Sequence, residues 1–451
     1  MKYEIDKPIR LIELFAGVGS QAMALRDIGV DFEHYRVVEF DKYPVASYNA
    51  IHGTNFPTMD ITKISGADLG IVDTDRYTYL LTYSFPCQDL SVAGKGKGMR
   101  KDSGTRSGLL WEVERLLNET EQLPQVLVME NVPQVHSKKN MPDFENWLNY
   151  LESRGYKTFW QDLNAMNYGI PQSRNRCIAV SILGDYEFIF PEIEPLTTVM
   201  ADFLEPQVED KYYLTSEKVK DLVDKLVFSG KIVPFLEQGG DGIILRNCGS
   251  SDEARTPDAR QTDVAVTLLS RDYKELSNYG SNAVIKCKRI GFHRESINVS
   301  ALRMVRTEEG KRLRKAYEAG EVHHGYNEHR EAEPRLDGVC NTITTVQKDN
   351  FLLESRLANE IPEQFHKFIY EINGELYLIR IRKLTPLECW RLMGFTDEDY
   401  WKATSVNSNT QLYKQAGNSI VKQVLMKVFS QMIPTKNKEL RDYWPRYRQG
   451  R

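Results

Sequence analysis

Short apolar runs recur along the first 190 residues, and each breaks into glycine or polar residues before a helical pattern begins. Residues 9–15 form the first run, which breaks at Gly17 and Gly19 and passes into a helix-like stretch at 21–28. Residues 35–39 form a second, followed by a helix-like stretch at 44–51. Runs at 79–83, 125–129 and 177–182 follow, with an amphipathic segment at 109–117 ahead of the middle one. Short apolar strands separated by helices predict an α/β fold whose largely parallel sheet is covered on both faces. Ligands of such sheets sit at the carboxyl ends of the strands.

The texture changes near residue 191, where Pro191, Pro195 and Pro206 punctuate a boundary. Gly/Asp/Arg-rich sequence without sustained periodicity then continues to about residue 375. A periodic pattern returns at 379–395, and a last apolar helix is expected over 418–433. The expected units are 1–192, an irregular β-rich domain at 193–377, and a return to the first unit at 378–451. Inside the middle unit, residues 264–270 echo residues 339–345, aligning Thr267 with Thr342. Two similar strands of one domain, or a duplicated recognition element, both fit that echo.

A chain of 451 residues exceeds one small core, and 41% hydrophobic with 27% charged residues is ordinary for a soluble globular protein. The net charge of −4 announces no polyanionic partner, so any nucleic-acid surface must be a local basic patch. Residues 286–315 are one such patch, with ten Lys/Arg against three Glu. The six cysteines are scattered and form no CxxC pair, so no metal site and no disulfide framework is expected. The charged N-terminus lacks an apolar signal core and no apolar run reaches membrane-spanning length, so a cytoplasmic location is expected.

Phe15-Ala16-Gly17-Val18-Gly19 joins a strand to a helix, where glycines allow a tight turn and let a ligand approach backbone amides. Glu39 ends the next strand about 20 residues on, where a carboxylate can accept ribose hydroxyls. Asp60 ends another segment and suits an adenine amino group. As an ordered set these point to a nucleoside cofactor; singly, each is as ordinary as a structural turn or a surface acid.

Cys87 sits in a polar loop after a strand, in Ser84-Phe85-Pro86-Cys87-Gln88. A lone cysteine is usually a small core residue, but these neighbours give poor core packing and good active-site placement. The glycine-jointed stretch that follows carries Lys95, Lys97, Arg100 and Lys101, cations suited to a phosphate backbone.

Pro86-Cys87-Gln88, Glu130-Asn131-Val132 and Gln172-Ser173-Arg174-Asn175-Arg176 occur in that order, between Phe15–Gly19 and Gln415-Ala416-Gly417-Asn418-Ser419. Together they resemble the ordered motif set of the cytosine-5 DNA methyltransferases, of the bacterial and phage type, over residues 9–190 and 378–431. The departures are Ser20, Leu90 and Asn175, where that family usually has glycine, phenylalanine and glutamate, and none removes a catalytic group.

The resemblance implies a Rossmann-like S-adenosylmethionine-binding domain with a smaller target-recognition domain, acting on a flipped-out cytosine in duplex DNA. It implies Cys87 as nucleophile, Glu130 as acid, and Arg174 and Arg176 as supporting cations. The cofactor pocket would be lined by Phe15, Gly17, Val18, Gly19, Glu39, Phe40, Asp60, Ile61, Pro86, Leu109, Asn418 and Ser419. The chemistry suits these residues on its own terms. Carbon 5 of cytosine is a poor nucleophile until a thiolate adds at carbon 6, and an acid at N3 assists that addition. DNA contacts are expected from Lys95, Lys97, Arg100, Lys101, Thr267 and Thr342. A monomer, with or without a companion restriction endonuclease, suits this reading. An RNA (tRNA) cytosine-5 methyltransferase and an inactive DNA-binding regulator are the alternatives.

Overall fold

The computed structural model describes residues 1–90, 98–101, 103–228 and 375–434, together with short elements between 265 and 372. The first part runs β1 (Ile9–Leu14), α1 (Ser20–Asp27), β2 (Phe32–Val38), α2 (Lys42–His52), β3 (Thr78–Tyr83) and α3 (Leu110–Glu119). It continues with β4 (Val126–Asn131), α4 (Met141–Ser153), β5 (Tyr156–Asn164), β6 (Gln172–Ser173) and β7 (Asn175–Leu183). Six of these strands form one sheet in the order β2-β1-β3-β4-β7-β5. The first four are mutually parallel, and β7 runs antiparallel to both neighbours.

Every position of β3 and β4 is buried, as expected of strands covered on both faces. Alternation sorts their side chains. Leu11, Leu80, Val126, Val128 and Ile178 enter one core, whereas Ile12, Leu81, Leu127, Met129 and Cys177 enter the other. Each fully buried aliphatic side chain contributes about 1.5–3 kcal/mol, so the two cores dominate the stability. Helices α3 and α4 cover the second face through Leu110, Val113, Phe144 and Trp147. Helix α1 covers the first, packed against the late helix Lys422–Phe429.

Two elements differ from the sequence expectation. Apolar runs did not reveal β5, because it is the edge strand and its middle residues Trp160 and Gln161 are exposed. The expected last helix over 418–433 is broken. Asn418 closes the helix Asn409–Asn418, Ser419 caps it in an extended conformation, and a separate helix runs Lys422–Phe429.

A second sheet is antiparallel, ordered β10 (Arg330–Arg335), β9 (Ile297–Arg306), β8 (Ala283–Ile290), β12 (Glu375–Lys383) and β11 (Phe351–Leu352). Strand β12 straddles the expected boundary between 377 and 378 and joins this sheet to the late helices Pro386–Arg391, Asp397–Thr404 and Asn409–Asn418. The late helices, with Lys422–Phe429 among them, are tied to α1 by charge. Arg26 makes a two-pronged pair with Asp399 at 2.8 and 2.9 Å, and the buried Lys422 ammonium meets Asp27.

Glu13 of β1 is fully buried, and its Oε2 accepts a hydrogen bond from the Tyr48 hydroxyl at 2.6 Å. Burial pushes its carboxyl up to about 7. The folded protein therefore holds a proton that the unfolded chain releases near pH 4.5. This contribution is complete below that pH and is lost as pH rises through about 7, a change of about 2–4 kcal/mol. Glu13→Gln should flatten the stability profile between pH 5 and 8, measured by urea unfolding. An unchanged slope would show that Glu13 does not carry it.

Candidate active site

Cys87 follows β3 in a loop anchored from three directions. The Asn131 side-chain amide donates to the Phe85 carbonyl at 2.9 Å, and Ser107 Oγ donates to the Pro86 carbonyl at 2.6 Å. The Leu90 amide donates back to the Cys87 carbonyl at 3.0 Å. Polar side chains thus fix the loop without a helix or strand of its own. Burial pushes the Cys87 thiol up, and Arg176 and Arg174 draw it back toward the thiolate.

Glu130 lies in β4, one residue from its end, and Arg176 is the second residue of β7, its antiparallel neighbour. Arg176 Nε stands 3.1 Å from Glu130 Oε1. Glu130 is buried, which raises its carboxyl above the ordinary range against the opposing pull of both arginines. Arg174 is buried as well, and its Nη2 donates to the carbonyls of Gly417 at 3.1 Å and Ser419 at 2.6 Å. It also lies within the electrostatic reach of Cys87 and Glu130. The structure thus brings together the four residues expected at the reaction centre.

On the cofactor side, Phe15, Gly17 and Gly19 all have positive φ, at 59°, 57° and 82°. The Gly17 amide donates to Glu39 Oε2 at 3.2 Å, and the Asp41 amide donates to Glu39 Oε1 at 2.9 Å. Burial raises the Glu39 carboxyl. Phe40 beside it is 74% exposed among the described residues, a large aromatic face open to a ligand. Val18 and Ile61 are buried, and Pro86 and Leu109 are partly so. Asp60 accepts from Thr62 Oγ1 at 2.8 Å and lies 3.5 Å from Lys63, contacts that hold its pKa below the usual value. Asn418 is exposed and Ser419 is buried, with Ser419 Oγ donating to the Gln415 carbonyl at 2.7 Å.

On the expected DNA side, Arg100 and Lys101 are exposed, and Lys101 pairs with Glu114 at 2.7 Å. Lys95, Lys97, Thr267 and Thr342 lie outside the described residues. The echoed segments are nevertheless side by side. Leu268–Leu269 pairs in parallel with Ile343–Thr344, Leu268 opposite Ile343, in the same alignment as the sequence echo. Both strands pack against Asn409–Asn418, and Ala265–Val266 pairs with Gln172–Ser173 immediately before Arg174.

Sequence reasoning missed the supports. Tyr48 and His52 pack beneath Gly19, and Ser107 and Asn131 hold the Cys87 loop. Only the Glu130-Asn131 adjacency hinted at one of them.

A half-buried thiol, a carboxyl and two guanidinium groups meet at strand ends of a doubly covered sheet, next to a glycine turn with an acid behind it. The chain belongs to the C-5 cytosine-specific DNA methylase family, whose model matches residues 9–434. It is an S-adenosylmethionine-dependent DNA cytosine-5 methyltransferase. It is 28% identical to the type II methyltransferase M2.ScrFI of Lactococcus lactis subsp. cremoris, over 94% of this chain and 99% of that protein. It is also 28% identical to the orphan methyltransferase M.SPRI of Bacillus phage SPR, over 95% and 98% of the two chains. The structure of the Entamoeba histolytica methyltransferase EhMeth shares the fold, with a TM-score of 0.54 at 13% identity, over 94% of this chain and 98% of that one.

The two glycines of the turn should respond differently to a methyl group. A Cβ at Gly19 would stand 2.5 Å from His52 Nε2 and 2.6 Å from the Tyr48 ring, whereas one at Gly17 meets nothing within 4 Å. Gly19→Ala should cost about 2–4 kcal/mol of stability, and Gly17→Ala about 1–2 kcal/mol from its φ alone. Denaturant unfolding of both variants checks this. A larger loss at Gly17 would contradict the packing.

Proposed function

We propose that the chain methylates carbon 5 of a flipped-out cytosine in a specific duplex sequence, through a covalent bond from Cys87 Sγ to carbon 6. One observation carries this reading. Segments distant in sequence, at the ends of β3 and β4 and the start of β7, set one thiol, one carboxyl and two guanidinium groups within mutual electrostatic reach.

Each residue then has a task. The half-buried Cys87 thiol keeps its proton at rest, and Arg176 and Arg174 favour the thiolate as it forms. The thiolate adds to carbon 6, and the displaced electron pair moves through the ring toward N3, which takes a proton from Glu130. A carboxyl whose pKa is raised by burial retains that proton nearer neutrality. Arg176, already 3.1 Å from Glu130, supports the charge developing at the ring's O2. Arg174 positions the 417–419 segment against this centre. Carbon 5, now electron-rich, bonds the incoming methyl while N3 returns its proton to Glu130. Removal of the carbon-5 proton by a base then expels Cys87 as thiolate and restores the 5,6 double bond.

Several observations fit S-adenosylmethionine at the glycine turn. The space beside Gly17 is open, the half-buried Glu39 carboxylate faces the turn, and Phe40 offers an exposed ring. When bound, this cofactor supplies the electrophilic methyl. Gly17, Val18, Gly19 and Glu39 would hold its amino-acid and ribose ends, and Phe40, Asp60 and Ile61 its adenine. Phe15, Pro86, Leu109, Asn418 and Ser419 complete the lining.

The region 193–377 is the target-recognition unit in this reading, with 1–192 and 378–451 as the catalytic body. Its support is the second sheet, the basic stretch 286–315 and the paired echo set beside Arg174. Lys95, Lys97, Arg100 and Lys101 would contact phosphates, and Thr267 and Thr342 the recognised site. Relatives named as type II and orphan methyltransferases support a role in restriction-modification or a phage genome, and a cytoplasmic monomer suits that role. Among the described residues no helix is long and apolar enough to cross a membrane.

Cys87→Ala should reduce methyl transfer to duplex DNA by at least ~10³-fold while leaving DNA binding within about threefold. Tritiated-methyl incorporation into duplex DNA and into transfer RNA, run in parallel, measures the loss and separates the two substrates. Retained activity would remove Cys87 from the reaction, and preferential labelling of RNA would overturn the DNA assignment.

A further inference from the structure

We propose that His136, Asp162 and Cys177 form a binding site for a thiophilic divalent cation of the zinc type, separate from the reaction centre. His136 ends the short turn Pro133–His136 after β4, and Asp162 lies directly opposite Cys177 in the β5–β7 pairing. One ligand atom from each lies within 4.8 Å of the other two. The set supplies one imidazole nitrogen, one carboxylate oxygen and one thiol sulfur, the donor types of tetrahedral zinc centres.

The arrangement has the depth of a site. Cys177 is fully buried, whereas the side chains of His136 and Asp162 are 22% and 30% exposed, so the sulfur forms the floor and the other two the mouth. The His136 ring lies against Trp160, centroids 4.9 Å apart at 36°, which limits its rotation. His136 Nε2 and Asp162 Oδ1 are now 2.9 Å apart in a hydrogen bond. Ligand atoms on a tetrahedral zinc with bonds of about 2.0–2.3 Å stand roughly 3.3–3.8 Å apart, so binding opens this pair by less than about 1 Å. A fourth position faces solvent.

Strand alternation keeps the cluster out of the chemistry. Cys177 points to the opposite face of β7 from Arg176, and Asn131, across the β4–β7 pairing, shares its row with Cys177 while Glu130 does not. A cation here would cross-link the 133–136 turn with β5 and β7 behind the strand ends that carry Glu130 and Arg176. Cysteine spacing argued against metal, but positions 136, 162 and 177 form no spacing motif; strand pairing alone brings them together. Binding transfers the thiol proton to solvent and involves no change of oxidation state.

The test is titration of the chelator-stripped full chain with Co²⁺ alone. We expect a thiolate-to-cobalt charge-transfer band in the near ultraviolet, visible bands of tetrahedral intensity, saturation at a single equivalent, and loss of both on adding Zn²⁺. Zn²⁺ should also raise the unfolding temperature by a few degrees. Cys177→Ser should abolish the near-ultraviolet band, and His136→Gln, at a half-exposed position, should weaken Co²⁺ affinity about tenfold or more. Both variants should retain DNA methylation, which shows that they fold. Absence of the band, its persistence in Cys177→Ser, or an unfolding temperature indifferent to Zn²⁺ would each overturn the site, and none of these bears on Cys87.

Discussion

A guanidinium taken out of water is costly, and Arg174 sits almost wholly buried in the middle of this protein. It is tolerated because two backbone carbonyls, of Gly417 and Ser419, accept its hydrogen bonds at the end of the helix Asn409–Asn418. Helix carboxyl ends carry partial negative charge, which adds to the field of Glu130. One side chain thereby joins residues more than 240 positions apart. It sets the late Gln415–Ser419 motif against the reaction centre and explains the chain's break at Ser419, where the expected last helix would have continued.

The rest of the site is built outward from that junction. Arg176, two residues on, has its own partner in Glu130, so the two guanidinium groups serve different masters. The short pairing of Ala265–Val266 with Gln172–Ser173 runs straight into the same arginine segment. The second sheet's chain is thus physically attached just before the Arg174–Arg176 segment, as well as through the strand Glu375–Lys383. Charge pairs elsewhere also tie the late helices down, the fully buried Arg382 with Glu388 at 2.8 Å and the part-exposed Arg26 with buried Asp399.

The sequence was most legible where physical constraint is strongest. Strands β1, β3 and β4, with β7 beyond them, are buried on both faces, so their apolar runs stand out, and the polar residues at their ends mark the site. The edge strand β5 carries Trp160, Gln161 and Asp162 toward solvent and left no such run. Cys87, Glu130, Arg174 and Arg176 stand out as ordered motifs, with Asn131 beside Glu130, whereas Ser107, which holds the Cys87 loop, and Tyr48 and His52, which pack beneath Gly19, sit at positions that no spacing rule marks. The echo at 264–270 and 339–345 was ambiguous as text. Its parallel, in-register pairing shows that the two copies are neighbours in one small sheet.

In the proposed mechanism this geometry serves one event, the formation of a carbon–sulfur bond at Cys87. Duplex DNA with 5-fluorocytosine at the methylated position cannot release the enzyme once the methyl has been transferred, because fluorine replaces the proton that must leave. Mass spectrometry of the digested complex should find the DNA strand joined to the peptide that contains Cys87. No covalent complex, or one attached to a different residue, would contradict the account.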